Sequence, residues 1–174
     1  MTIKNYILFY FLLSSIIGLG QNSFAPTHVI ISDTTNTKIP DANWQMLEDK
    51  SEKWTISDVQ SPSISSKFHS NTTKQKGIGF SGITTYWQRL KLKNSSAKEL
   101  KLIFYNKPLV DKYELYIIRS SGKMEHFVSG SSVPLSERDG IKDKEIIDIS
   151  FAPFEEIILY KRLYIFRNIG FSEM

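Results

Sequence analysis

The stretch Phe80-Ser-Gly-Ile-Thr-Thr-Tyr-Trp-Gln-Arg-Leu-Lys-Leu-Lys-Asn94 decides the fold. Read with the period of two that a strand imposes, Thr84, Tyr86, Gln88, Leu90 and Leu92 share one face. Ile83, Thr85, Trp87, Arg89, Lys91 and Lys93 share the other. The leucines and the tyrosine mark the first face as the core side. Trp87 and Arg89 on the second face then belong either to another buried layer or to a groove that holds a ligand.

Outward from this strand the text reads as strand after strand. Leu100, Leu102 and Phe104 alternate inward before Pro108; Tyr113, Leu115 and Ile117 alternate in the next run; Ser120-Ser-Gly122 makes a tight turn into residues 124–128. This succession predicts a meander. Residues 129–143, with Gly130, Pro134 and Gly140, read as a loop, and residues 145–151 and 157–166 as two further strands flanking Pro153. Upstream, Val29-Ile-Ile31 predicts a short first strand, residues 46–50 one helical turn, and residues 54–59 a strand. Residues 61–79 are rich in Ser, Thr, Asn and Lys and predict a surface loop in which Phe68 anchors back onto the sheet. No 3.6-residue period is sustained beyond the N-terminus, so the expected class is all-β, an antiparallel sandwich.

At 174 residues with 41% hydrophobic and 13% aromatic content, the chain suits one domain with a substantial core. Cysteine is absent, so sheet packing rather than disulfides must hold it. The N-terminus predicts an export signal over residues 1–20: Lys4 is the positive start, residues 6–17 the apolar centre, and Gly18-Leu-Gly20 the cleavage site before Gln21. Its apolar run of roughly 15 residues falls short of the roughly 20 that span a bilayer. A linker with the first strand follows over 21–40, the sandwich over 41–168 and a tail over 169–174. Losing Lys4 takes Lys+Arg from 22 to 21 against 18 Asp+Glu, a surplus of +3 scattered along the chain, which excludes nucleic acid as the expected partner.

The chemistry of enzymes is thinly represented. His28, His69 and His126 lie apart without metal-ligand spacing, and Gly77-Ile-Gly79 lacks the third glycine and the helix of a dinucleotide fingerprint. No cofactor and no metal are expected. Glu155-Glu156, Asp111 and Glu114 supply carboxylates, but the separation that glycoside cleavage needs is a property of the fold. What remains is a binding surface. Trp87 with Arg89, and Tyr105 with Tyr116 on neighbouring strands, make an aromatic and basic face of the kind that stacks on sugar rings or grips a carboxylate. The alternative is that Trp87 fills a packed layer and Arg89 pairs with Asp111 beneath a loop. The candidate ligand-binding residues are therefore Trp87, Arg89, Tyr105, Asp111 and Tyr116.

One ordered set of residues carries a resemblance: Trp44 with Glu48-Asp49, Thr55-Ile56 with Asp58-Val59, Phe68, Phe80-Ser-Gly82, Tyr86-Trp-Gln-Arg89 with Leu92 and Asn94, Pro108 with Asp111, Leu115-Tyr116 and Tyr160-Lys-Arg162. Over residues 40–165 it resembles the type 2 extracellular sensor domain of bacterial seven-transmembrane receptors with diverse intracellular signalling modules, 7TMR-DISM. The resemblance implies a jelly-roll-like sandwich similar to carbohydrate-binding modules, in the periplasm or outside the cell. It implies a noncatalytic sensor for a small-molecule ligand such as a carbohydrate, with a membrane receptor or signalling partner. Whole receptors continue into seven membrane helices, and no apolar run of spanning length follows the signal here, so a truncated or free-standing sensor is the expectation. Two alternatives stay open, a secreted glycan-active enzyme and a purely structural or interaction sandwich.

Overall fold

The computed structural model describes residues 28–32, 39–70, 84–105, 111–142 and 146–165. The expected signal segment, Phe80-Ser-Gly82, Pro108 and the tail lie outside them. The strands are β1 (His28–Ile31), β2 (Gln45–Asp49), β3 (His69–Ser70), β4 (Thr84–Asn94), β5 (Leu100–Tyr105), β6 (Lys112–Arg119), β7 (Met124–Ser129), β8 (Ile146–Phe151) and β9 (Glu156–Ile165). Two short helices, α1 (Ile56–Gln60) and α2 (Pro62–Ser65), lie between β2 and β3. The chain is an all-β sandwich. Its large sheet runs β3-β2-β4-β9-β6-β7, and β5 pairs β8 in a second sheet.

The long strand read first is the spine of the large sheet. On one side β9 pairs it from Thr84 to Lys93; on the other, β2 covers Thr85 to Arg89 and β1 covers Lys91 to Asn94. The β1 pairing is parallel, unlike the other ladders. The inner face of β4 carries Leu90 and Leu92, which join Leu115 and Ile117 of β6, Ile157 and Leu159 of β9 and Ile147, Ile149 and Phe151 of β8 in the core between the sheets. Burial of this apolar surface, at about 25 cal/mol per Å², is the main force holding the sheets together.

Three expectations are corrected. The run from β4 onward is no simple meander: only β6 and β7 pair as sequence neighbours there, while β5 and β8 cross to the other sheet. Alternation along each strand cannot reveal which sheet it joins. Residues 46–50, expected as a helical turn, are strand as far as Asp49 in β2, whose Gln45, Met46 and Leu47 are buried in succession because both faces of the strand are covered. Residues 54–59, expected as a strand, hold α1. There the Thr55 hydroxyl accepts from Asp58 N–H at 3.3 Å and the Asp58 carboxylate accepts from Thr55 N–H at 2.8 Å, a reciprocal cap that nucleates the turn. The predicted anchor holds: Phe68 is buried against the outer face.

Candidate functional site

Cross-strand register sorts the outer face of the large sheet into rows. Leu47, Trp87, Arg162, Glu114 and Val128 make one row. Gln45, Arg89, Tyr160, Tyr116 and His126 make the next, and Thr85, Tyr164 and Lys112 lie on the other side of the first. The β2 side of this face is roofed. Val59 of α1, Phe68, Leu47, Trp87 and Tyr160 form a second buried cluster, with Trp54, Ile56 and Ile64 packed on it. The β6 and β9 side is half-open.

Of the two residues singled out on β4, Trp87 is 0% exposed and Arg89 5% exposed. Both lie in the second buried layer. The Arg89 guanidinium donates from Nε and Nη2 to Gln45 Oε1, at 2.9 and 2.7 Å, and from Nη1 to Ser65 Oγ at 2.6 Å; its carbon lies 4.3 Å from the Phe68 ring centroid. The Asp111 pairing considered from the sequence does not form. Lys112 sits level with Thr85 through Tyr164, which places Asp111 five residues along from Arg89, roughly 16 Å at the rise of a strand. Asp111 is buried at the start of β6, where its carbonyl accepts from Ser132 N–H at 2.7 Å. Tyr105 and Tyr116 are likewise apart: β5 lies in the other sheet, and Tyr105 is 59% exposed on that sheet's outer face.

Tyr116 does meet Trp87. Their rings stack at 5.9 Å, and His126 stacks on the far side of Tyr116 at 4.4 Å with an interplanar angle of 8°. Beside this stack lies a polar group the sequence reading passed over. The Arg162 guanidinium lies 5.4 Å from the Trp87 ring and 4.7 Å from the Tyr164 ring. Lys112 Nζ is 4.8 Å from the Tyr164 ring and 3.0 Å from Glu114 Oε1, and the Tyr116 hydroxyl donates to Glu114 Oε2 at 2.8 Å. The signal was the alternation of Tyr160, Arg162 and Tyr164 on β9. Only the pairing of β9 with β4 joins it to Trp87.

These contacts set the protonation states. Burial pushes the Glu114 carboxyl up, but hydrogen bonds from Lys112 and Tyr116 and the Lys112 and Arg162 charges outweigh it, so Glu114 stays below the usual carboxylate range. Burial, then the bond to Glu114, pushes the Tyr116 phenol well up; burial, then the Glu114 charge, pushes Tyr164 up to about 12. A phenol whose folded pKa is raised favours folding below its ordinary value near 10, and that contribution disappears as pH rises through about 12. Titration of phenolate absorbance should therefore show a tyrosine ionising near pH 12 that returns to about pH 10 on unfolding in urea. A native titration in which every tyrosine ionises near its free value would contradict this geometry.

Chemically, the half-open face offers flat aromatic surface, a guanidinium, an ammonium and the Glu114 carboxylate, with Asp49 at its edge. Among the described residues there is no group of three or more His, Cys, Asp or Glu arranged to hold a metal, and no helix long and apolar enough to cross a membrane. Residues 41–165 match the family model described as 7TMR-DISM extracellular 2, a span that contains every row of this face. No curated protein matches the chain.

Proposed function

Because the chain belongs to the 7TMR-DISM extracellular 2 family, we propose that it is a noncatalytic, extracytoplasmic sensor domain binding a small molecule, carbohydrate first among the classes, on the outer face of its large sheet. The observation that carries the reading is the half-open cluster of Tyr116, His126, Arg162, Tyr164 and Glu114. Aromatic faces bordered by hydrogen-bonding groups suit a sugar ring, whose C–H face packs on an aromatic plane while its hydroxyls take directional bonds. The ligand contacts fall to Tyr116, Arg162 and Tyr164, with Trp87 packed against Tyr116 and Arg162 and Arg89 covered by the helical roof beside them. A noncatalytic role is supported by the carboxylates of this region. Glu114 is held by Lys112 and Tyr116, and Asp49 by Ser51 and Trp54, so neither is free to exchange a proton with a substrate.

A thermal-shift screen of the full chain against mono- and oligosaccharides and other small polar molecules tests this. A ligand present at about 100 times its dissociation constant should stabilise the chain by about 2.7 kcal/mol. Replacing Tyr164 by Leu should remove that shift, read against the variant's own unliganded melt, which the lost Lys112 and Arg162 ring contacts lower. A ligand whose shift survives in both Tyr164→Leu and Tyr116→Leu would move the site off this face.

A further inference from the structure

Two buried hydrogen-bond donors on the outer face have no acceptor among the described residues, the Trp87 indole Nε1 and Arg162 Nε. They are adjacent in one cross-strand row, and the Arg162 guanidinium carbon lies 5.4 Å from the Trp87 ring centroid. An unmet buried donor costs about 1–3 kcal/mol, so two at one place mark a position that calls for an acceptor. The nearby acid does not serve: Glu114 is bonded by Lys112 at 3.0 Å and Tyr116 at 2.8 Å, and among the described residues no carboxylate pairs with Arg162.

What Arg162 does hold is a neutral oxygen. Its Nη2 donates to the backbone carbonyl of Glu52 at 2.7 Å. Glu52 has φ +57°, a left-handed conformation that a non-glycine residue adopts at a cost. The turn that carries it is pinned at its base. The Asp49 carboxylate accepts from Ser51 N–H at 3.1 Å, Ser51 Oγ at 2.6 Å and Trp54 N–H at 3.0 Å. The strained Glu52 carbonyl thus occupies one arm of a guanidinium whose Nε is buried and, among the described residues, meets no acceptor. Lys112, on the same face, adds a second positive charge, and the two carboxylates of the face, Glu114 and Asp49, are taken by Lys112 with Tyr116 and by Ser51 with Trp54.

We infer that Arg162 is the anchor for a carboxylate-bearing ligand, one carboxylate oxygen taking the place of the Glu52 carbonyl on Nη2 and the other meeting Nε. Planar guanidinium–carboxylate pairing through two parallel bonds is the strongest recognition this side chain offers, and it exceeds what one neutral carbonyl provides. Entry requires the Glu52 carbonyl to leave Nη2 while the base of the turn stays pinned by Asp49. The inference rests on the outer-face site proposed above and adds the charge class of its ligand. Acidic sugars and simple organic acids share this chemistry.

Calorimetric titration of the full chain with D-galacturonate, D-galactose and succinate separates the cases. D-galacturonate should bind at least about tenfold tighter than D-galactose. That preference should vanish in Arg162→Gln and fall sharply in Arg162→Lys, which keeps the charge but not the fork. Succinate binding as tightly as D-galacturonate upholds the carboxylate anchor and removes the sugar from the proposed function. Equal binding of D-galactose and D-galacturonate overturns the anchor and leaves the sugar-binding face intact. Binding of neither acid at millimolar concentration, or a preference unchanged in both variants, also overturns the anchor.

Discussion

Replacing Trp87 by alanine should destabilise the domain by about 3–5 kcal/mol, the range for emptying a fully buried aromatic site. The indole is 0% exposed, packed with Leu47, Val59, Phe68 and Tyr160, and stacked on Tyr116 at 5.9 Å. Strand β4 is paired on both sides at this position and cannot collapse into the cavity. Against a typical total of about 5–15 kcal/mol, such a loss takes roughly a fifth or more of the stability. Trp87→Phe should cost much less, about 1–2 kcal/mol, because it retains a ring and deletes an N–H that has no partner among the described residues. Urea denaturation of the two variants checks the order. A Trp87→Ala midpoint equal to wild type would mean that the indole is not the centre of the outer layer.

The second large effect belongs to Arg89. Arg89→Ala should cost about 3 kcal/mol, through lost charge-assisted bonds and the acceptors left buried without a donor. The bonds at stake run to Gln45 Oε1 and Ser65 Oγ, and with them goes the guanidinium packed over Phe68. Ser65 ends α2, so this side chain ties the helical roof to the sheet. A fall of roughly 6–12 °C in melting midpoint is expected for a chain of this length. Asp111→Ala should not reproduce it through Arg89, since the two do not meet. If Arg89→Ala melts like wild type and instead loses ligand, Arg89 is a binding residue and the roof is held by other contacts.

What could be read from the sequence, and what could not, follows from the range of the interactions. The alternation from Thr84 to Asn94 identified β4 and its inner face because Leu90 and Leu92 contribute to the core one strand position at a time. Phe68 was legible as an anchor because it is the one Phe, Tyr or Trp in the polar run 61–79. The exchange of helix and strand between residues 46–50 and 54–59 came from local ambiguity: β2 is buried on consecutive residues, and the Thr55 and Asp58 cap weighed less than the alternation after Trp54. Trp87 and Arg89 were recognised as unusual, but whether they faced a groove or a roof depended on α1 and α2 folding back over them. Tyr105 and Tyr116 were parted by the passage of β5 into the second sheet. Arg162 was named in the family resemblance but not among the site residues, because its neighbours Trp87, Glu114 and Glu52 are distant in sequence and are joined only by strand register and one turn.

The central claim is that the ligand face is the half-open region of the large sheet and that the exposed outer face of the β5–β8 sheet is not. Amide chemical-shift mapping of the isotope-labelled full chain, titrated with a ligand that stabilises it, tests this directly. Shifts concentrated at Lys112, Glu114, Tyr116, Arg162 and Tyr164, with the Glu52 turn moving beside them, are the predicted result. Shifts concentrated at Lys101, Ile103, Tyr105 and Asp148, with Arg162 and Tyr164 unchanged, would contradict it.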